Sequence, residues 1–216
     1  MRCTSPCPAA YSRGAAGLAG SRPAAAGAGR IFYQRELLRA NSALLTKVGF
    51  QTNLGTPGGD QAATAGYDDR FVAWQADADY QYRTKGDWIV RARLSGQYSP
   101  QQLLPVMQLG AGGRTTVRGF VERAIASDKG ILGNLELYTP QFAPGSRFLL
   151  FLDGASMQDN YSGSKHQNIS SWGVGYRYGN PKNLRVALDY ADIIKDMENA
   201  ADQQHKRWNA TVSAEF

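Results

Sequence analysis

The sequence predicts an all-β protein, an antiparallel transmembrane β-barrel of the outer-membrane type with about eight strands, and three observations carry the prediction. From Ala43 to the C-terminus, apolar and polar residues alternate with period two in eight separate stretches, the spacing of a strand whose two faces meet different surroundings. The polar face mixes Gly and Ala with its charges, whereas the apolar face ends in Tyr and Trp. That is the pattern of a polar interior with aromatic girdles at two membrane interfaces. Connections are alternately short and long, as in barrels that turn tightly at one rim and extend loops from the other. A soluble sandwich would also alternate, but it would not gather its aromatics at the strand ends.

Composition agrees. Among 216 residues there are 24 Gly and 11 Tyr, and aromatics reach 11%, a mixture that suits strands better than helices. No apolar run approaches the roughly 18 residues of a membrane helix. The net charge of +6 is concentrated at one end. Six of the 24 basic residues, with Glu36 as the single acid, fall within residues 1–40, so the remainder is close to neutral. A basic footprint for nucleic acid is absent from the part expected to fold.

Residues 1–30 are rich in Ala, Gly, Arg and Pro, lack periodicity, and show no apolar core of signal-peptide type. They read as an unstructured leader, with residues 31–216 forming the barrel part. Cys3 and Cys7, spaced C-x-x-x-C beside prolines, have no partnering His nearby and indicate no metal site.

The strands follow in order. In 43–54, Leu44, Thr46, Val48, Phe50 and Leu54 oppose Lys47, Gly49, Gln51 and Asn53. In 71–82, Val72, Trp74, Ala76, Tyr80 and Tyr82 oppose Gln75, Asp77, Asp79 and Gln81. The next stretch sets Trp88, Val90, Leu94 and Tyr98 against Arg91, Arg93, Ser95 and Gln97. These two read as a hairpin. A register that pairs Asp79 with Arg91 and Asp77 with Arg93 places two charge ladders on the inner face, with Tyr82 opposite Trp88 outside. Beyond a long connection over 99–130, alternation resumes around Leu135 and Leu137, Phe148–Leu152, Trp172–Tyr178, Leu184–Tyr190 and Trp208–Phe216. Trp208, Val212 and Phe216 lie on the apolar face of the last strand, which closes on an aromatic as many outer-membrane barrels do.

The long connection is the informative segment. Leu109 to Asn134 holds Gly110, Gly112 and Gly113, then Val117, Arg118, Gly119 and Phe120, with Val121, Ile125 and Ile131 beyond. Connections this long inside a compact domain are functional or disordered, and the apolar punctuation argues against disorder. The Gly run is laid out like a phosphate-cradling loop, but Arg114-Thr115 stands where Lys then Ser/Thr would be needed, and no helix pattern follows. His166 and His205 lie in loops with no Ser nucleophile in a recognisable motif, so no catalytic residues are assigned.

Leu109 to Pro140 resembles the corresponding region of the ShlB/FhaC/HecB type of haemolysin activation and secretion proteins. The resemblance is carried by VRGF at 117–120, then Ser127-Asp128-Lys129-Gly130, then Leu135-Glu136-Leu137-Tyr138-Thr139-Pro140, with Phe151-Leu152-Asp153 and the final Phe216 in the expected order. It spans roughly residues 43–216. Where the family element continues as D-x-G, this chain has Asp153-Gly154-Ala155.

The resemblance implies the C-terminal part of a barrel of roughly sixteen strands, preceded in the family by periplasmic POTRA domains. It implies an outer-membrane location in a Gram-negative cell, a secreted exoprotein of haemolysin or adhesin type as substrate, and contacts with lipid and the barrel-assembly machinery. No cofactor, metal or nucleic acid is implied. A barrel of the related outer-membrane assembly class, which also carries a V-R-G-F/Y loop, and a passive porin-like channel are the alternatives. Strand parity puts the C-terminus on the periplasmic side. The family's loop folds into the lumen, which implies that Arg118 pairs with Asp153, with Glu136 as a second inward-facing partner. Ala155, Gly173 and Gly175 lack bulk on the same face and leave space for a loop tip.

Overall fold

The structure is a computed structural model and describes residues 28–54, 70–161, 163–179, 184–197 and 206–214. Its strands are β1 (Ala28–Leu38), β2 (Ser42–Leu54), β3 (Arg70–Arg83), β4 (Ile89–Tyr98), β5 (Leu109–Ala111), β6 (Ile125–Ser127), β7 (Lys129–Tyr138), β8 (Ser146–Gln158), β9 (Gln167–Gly179), β10 (Leu184–Lys195) and β11 (Lys206–Ala214). Nine of them form one sheet in the order β1-β2-β3-β4-β7-β8-β9-β10-β11, while β5 and β6 pair with each other inside the long loop. Every pairing is antiparallel, and each strand of the large sheet lies beside its predecessor there. The fold is that of an outer-membrane barrel wall, with nine strands where about eight are expected.

The additional strand is β1. Its alternation is broken, because Phe32 and Leu38 share a face with Arg30, Gln34 and Glu36, while Arg35 sits among Ile31, Tyr33 and Leu37. Period two is not legible in such a stretch, and backbone pairing to β2 carries it instead. Its inward aromatic is matched across the ladder, where the Lys47 ammonium lies 4.8 Å from the centroid of the Phe32 ring. The strand opens at Ala28, within the stretch read as a leader; residues 1–27 lie outside those described.

The two faces of the sheet differ as the alternation requires. One is apolar and open: Trp74, Leu94, Tyr98, Leu135, Leu150, Leu152, Trp172 and Val212 are all exposed on it. A continuous apolar surface of this extent is untenable in water and fits hydrocarbon. The other face carries the charges and is covered in part by the long loop. Leu103, fully buried, packs on Phe71 and Ala73 of β3. The β5–β6 hairpin gathers Ala111, Val117, Phe120 and Ile125 against Leu132 of β7, Ala155 and Met157 of β8, and Ile169 of β9. The loop is therefore a folded insert with its own apolar core.

Short turns lie at the opposite rim. Asp87, in the β3–β4 turn, takes a left-handed backbone with φ 64°. It is held by the buried Arg147 of β8, whose Nη2 donates to Asp87 Oδ2 at 2.7 Å and whose Nη1 donates to the carbonyls of Asp87 and Thr139, both at 2.8 Å. Two neighbouring turns are thus fastened to one guanidinium.

The β3–β4 register differs from the expected one by one step on each face. Asp79 stands opposite Arg93, Asp77 opposite Ser95, Gln81 opposite Arg91, and Tyr82 opposite Val90. Parity survives, so the charges do face inward. The turn sets the step: Thr84 N donates to Trp88 O at 2.9 Å and Asp87 N to Thr84 O at 3.1 Å, which centres the hairpin one residue later than the charge pattern suggests.

β1 approaches β2 closely at Gly49. A Cβ there would lie 2.6 Å from the Ile31 carbonyl oxygen and 2.8 Å from Phe32 Cβ. Overpacking of this kind costs about 1–3 kcal/mol. Gly49→Val should speed hydrogen exchange of the β1 amides bonded to β2 and leave β3–β4 protection unchanged. Equal exchange in both would refute the β1 pairing.

Candidate functional site

The loop after β5 descends along the inner face and places Val117 to Phe120 against β7–β10. Val117 and Phe120 anchor it, each essentially excluded from solvent within the shared apolar cluster. Between them Gly119 adopts φ 99°, a region that L side chains rarely enter. It also lies close to the wall, since a Cβ would sit 3.3 Å from Ile193 Cγ1 and 3.4 Å from Ala191 Cβ. Backbone freedom and close approach are both needed there. With its neighbours fixed in this way, Arg118 is aimed at the strands.

Arg118 meets Asp153 of β8 through a two-point fork. Nε donates to Oδ2 and Nη2 to Oδ1, each at 2.7 Å, and the Arg118 backbone amide adds a third bond to Oδ2 at 3.1 Å. Its remaining nitrogen, Nη1, lies 2.9 Å from Glu136 Oε1 on β7. All three residues are buried, with exposures of 2% for Arg118, 1% for Asp153 and 3% for Glu136. The planar fork matches a carboxylate edge on, which a lysine ammonium cannot do. Charges this deep must be paired and fully hydrogen-bonded to be tolerated.

Neighbouring groups complete the shell. The guanidinium carbon lies 3.6 Å from the centroid of the Phe151 ring, a stacked cation–π contact. Asn134, directly opposite Asp153 in the β7–β8 ladder, donates to Asp153 Oδ1 at 2.8 Å and also to the Thr116 carbonyl of the loop. Glu136 further accepts from the Tyr138 hydroxyl at 2.9 Å and lies 3.4 Å from Arg93 Nη2. Asn134 and the stacking role of Phe151 are what a sequence reading misses. Both have inward parity, but their meaning depends on cross-strand register, which no single strand reveals.

The other expected site residues divide. Asp79 and Arg91 are joined by two bonds, Nε to Oδ1 at 2.9 Å and Nη2 to Oδ2 at 2.5 Å, although they meet diagonally rather than face to face. Arg93 turns to Glu136 instead of Asp77, and Asp77 is exposed opposite Ser95. The room above Gly173 and Gly175 is filled by wall side chains rather than directly by the loop. The Phe151 ring lies over Gly173, and the Asp189 carboxylate with Arg177 lies over Gly175. Ala155 does contact the loop's apolar cluster. Trp208 and Val212 lie on the open face of β11, where Trp208 packs on Tyr190 with ring centroids 4.8 Å apart. Phe216 lies outside the described residues.

Among the described residues, no group of three or more His, Cys, Asp or Glu is placed to hold a metal ion. What the arrangement provides chemically is a latch: a buried ion pair that fixes a loop to a wall.

Comparison with known proteins bears on family and fold. The family model for the haemolysin secretion/activation proteins ShlB/FhaC/HecB matches residues 18–178. No curated protein matches the chain in a sequence search. Among solved structures, CdiB from Escherichia coli superposes with a TM-score of 0.69 at 17% identity, covering 87% of this chain and 36% of that one. CdiB from Acinetobacter baumannii gives a TM-score of 0.63 at 18% identity, covering 85% of this chain and 32% of that one. At such identities the likeness speaks for the fold. The chain spans about a third of the length of these two structures.

Removing one partner of a buried pair typically costs about 3–5 kcal/mol. Asp153→Asn should therefore speed exchange of the Arg118 amide sharply, by lowering its local opening energy by about 3 kcal/mol. Glu136→Gln should do so less, since both bonds of the fork to Asp153 remain. Equal effects of the two would show that Asp153 is not the principal partner.

Proposed function

The chain belongs to the ShlB/FhaC/HecB family of haemolysin secretion/activation proteins, and from that premise we propose that it forms the wall and lumen loop of a transporter for two-partner secretion. In this reading the barrel lies in the outer membrane of a Gram-negative cell and exports a large exoprotein of haemolysin or adhesin type as an extended chain. The work is passage through a polar lumen, so it requires no cofactor and no reactive group, and the chain is not an enzyme.

The observation that carries the proposal is the latch. Arg118 holds an inserted loop against Asp153 and Glu136 on the polar face of the sheet, where the loop occupies interior space that a substrate would need. A passive pore gains nothing from a buried guanidinium fork on a loop with its own core; a conduit that must be closed between substrates does. The open apolar face is then the lipid contact. β11, with Trp208 and Val212 and with Phe216 following it in sequence, is the segment offered to the barrel-assembly machinery. Because β11 runs toward the short-turn rim, that rim and the C-terminus are assigned to the periplasm. The mixed-sign wall at Asp77, Asp79, Arg91 and Arg93 suits a moving chain, since neither sign dominates and no strongly apolar patch would retain it.

The test uses the full-length transporter together with its neighbouring-gene exoprotein. Arg118→Asp and Asp153→Arg should each reduce secretion into the medium by about tenfold or more, and the double exchange should recover part of the loss. Normal secretion by both single variants would refute the latch.

A further inference from the structure

A second buried carboxylate in the long loop lies away from the latch. Asp128 stands between β6 and β7 and is fully excluded from solvent, at 0% exposure. Both of its oxygens are engaged, by N–H donors of three residues from two separate segments. Oδ1 accepts from the Leu103 amide at 2.8 Å and from Gln108 Nε2 at 3.1 Å; Oδ2 accepts from the Asn160 amide at 2.8 Å.

Those segments are themselves tied to strand ends. Asn160, in the β8–β9 connection, donates through Nδ2 to the carbonyls of Ser99 and Gln101, at 2.8 and 2.9 Å. Gln101 accepts from the Val72 amide of β3 at 3.1 Å. Gln97 of β4 donates to the Met107 carbonyl at 3.1 Å. One carboxylate thus sits at the centre of a knot joining β3, β4, β7 and the β8–β9 loop at the long-loop rim. Its partners share none of the residues that hold Arg118.

We propose that Asp128 is a positioning residue, a second anchor that fixes the root of the long loop independently of the Arg118 latch, so that opening the latch frees only the β5–β6 hairpin and the tip it carries. The inference rests on reading that loop as a latched lumen element. Its physical basis is the difference between the two attachments. The tip is held by side chains, the Arg118 guanidinium together with Val117 and Phe120 in the apolar cluster, which can leave as a unit. The root is held by backbone amides of segments that strands fix in place, and these have nowhere to go. A carboxylate suits the root because it only accepts, and a buried acceptor with two oxygens can satisfy several amides at once.

Residue-resolved hydrogen exchange on the full-length transporter in detergent separates the two anchors, because each has a backbone amide as its own reporter. Asp128→Asn keeps the shape but turns a donor toward the donors. It should speed exchange at Leu103 and Asn160 by about tenfold or more while the Arg118 amide stays protected. Gln108→Ala, which removes a single bond and threatens folding less, should give the same pattern at about threefold. Arg118→Lys should do the reverse, speeding its own amide and leaving Leu103 and Asn160 slow. Unchanged exchange at Leu103 and Asn160 in Asp128→Asn would overturn the proposal. So would a rise spread evenly over the sheet, which would mark Asp128 as a general stabiliser only. Protection of the residue 118 amide in Arg118→Lys would instead count against the latch, and the Asp128 arm would still be judged on its own reporters.

Discussion

The structure depends on one costly act, the burial of a guanidinium and two carboxylates on the inner face of a β-sheet. Each ion taken from water loses several kcal/mol of solvation, and the loss is recovered only when geometry and hydrogen bonding are nearly complete. The chain meets the condition in detail. Asp153 accepts two guanidinium bonds, the Arg118 amide and the Asn134 side chain. Glu136 has Arg118, Arg93 and Tyr138 about it. Phe151 covers the flat face of the guanidinium, so water is excluded where no hydrogen bond is possible. From this follow the glycine between Arg118 and Phe120, the apolar residues on either side, and the folded hairpin that delivers them.

The opposite face obeys a different solvent. Trp74, Leu94, Leu150, Trp172 and Trp208 are exposed because hydrocarbon, not water, is their medium. The same medium constrains the sheet laterally. Among the described residues β1 and β11 are its edges. Hydrocarbon offers nothing to an unpaired N–H or C=O, at several kcal/mol for each such group. A membrane-spanning form of this sheet therefore has both edges paired or covered.

Legibility in the sequence followed the range of the physics involved. The strands of the large sheet from β2 onward were readable because alternation is local and membrane surroundings sharpen it, as in Trp172, Val174 and Tyr176 against Ser171, Gly173 and Gly175, whereas the three-residue β5 and β6 are too short to show it. β1 was not, since Phe32 and Arg35 sit on the faces that alternation would deny them and pairing with β2 decides instead. Inward parity for Asp153, Glu136, Asp79 and Arg91 could be counted along each strand. Register could not: the β3–β4 turn shifts the ladder, sending Arg93 to Glu136 and leaving Asp77 opposite Ser95. Asn134 and Asp128 escaped for a related reason. Each acts by joining segments far apart in sequence; Asp128 stands in the Ser127-Asp128-Lys129-Gly130 motif, but a motif does not show its distant partners.

The composition of the inner shell also bears on reversibility. A latch made of one arginine and one bare carboxylate would be hard to open, because departure of the arginine would strand a buried anion. Here each carboxylate keeps company when Arg118 is taken away. Glu136 retains the Tyr138 hydroxyl at 2.9 Å and has Arg93 within 3.4 Å, a cation only partly buried and joined to it by one long contact. Asp153 would keep the Asn134 amide, which lies 2.8 Å away, and the space left by the loop would admit water to both oxygens. The carboxylates thus pass from protein donors to a mixture of protein donors and solvent rather than to none. Asn134 also binds the Thr116 carbonyl, so departure of the tip would cost it that bond alone. A site can hold a loop firmly and still let it go when its anions are never asked to stand alone.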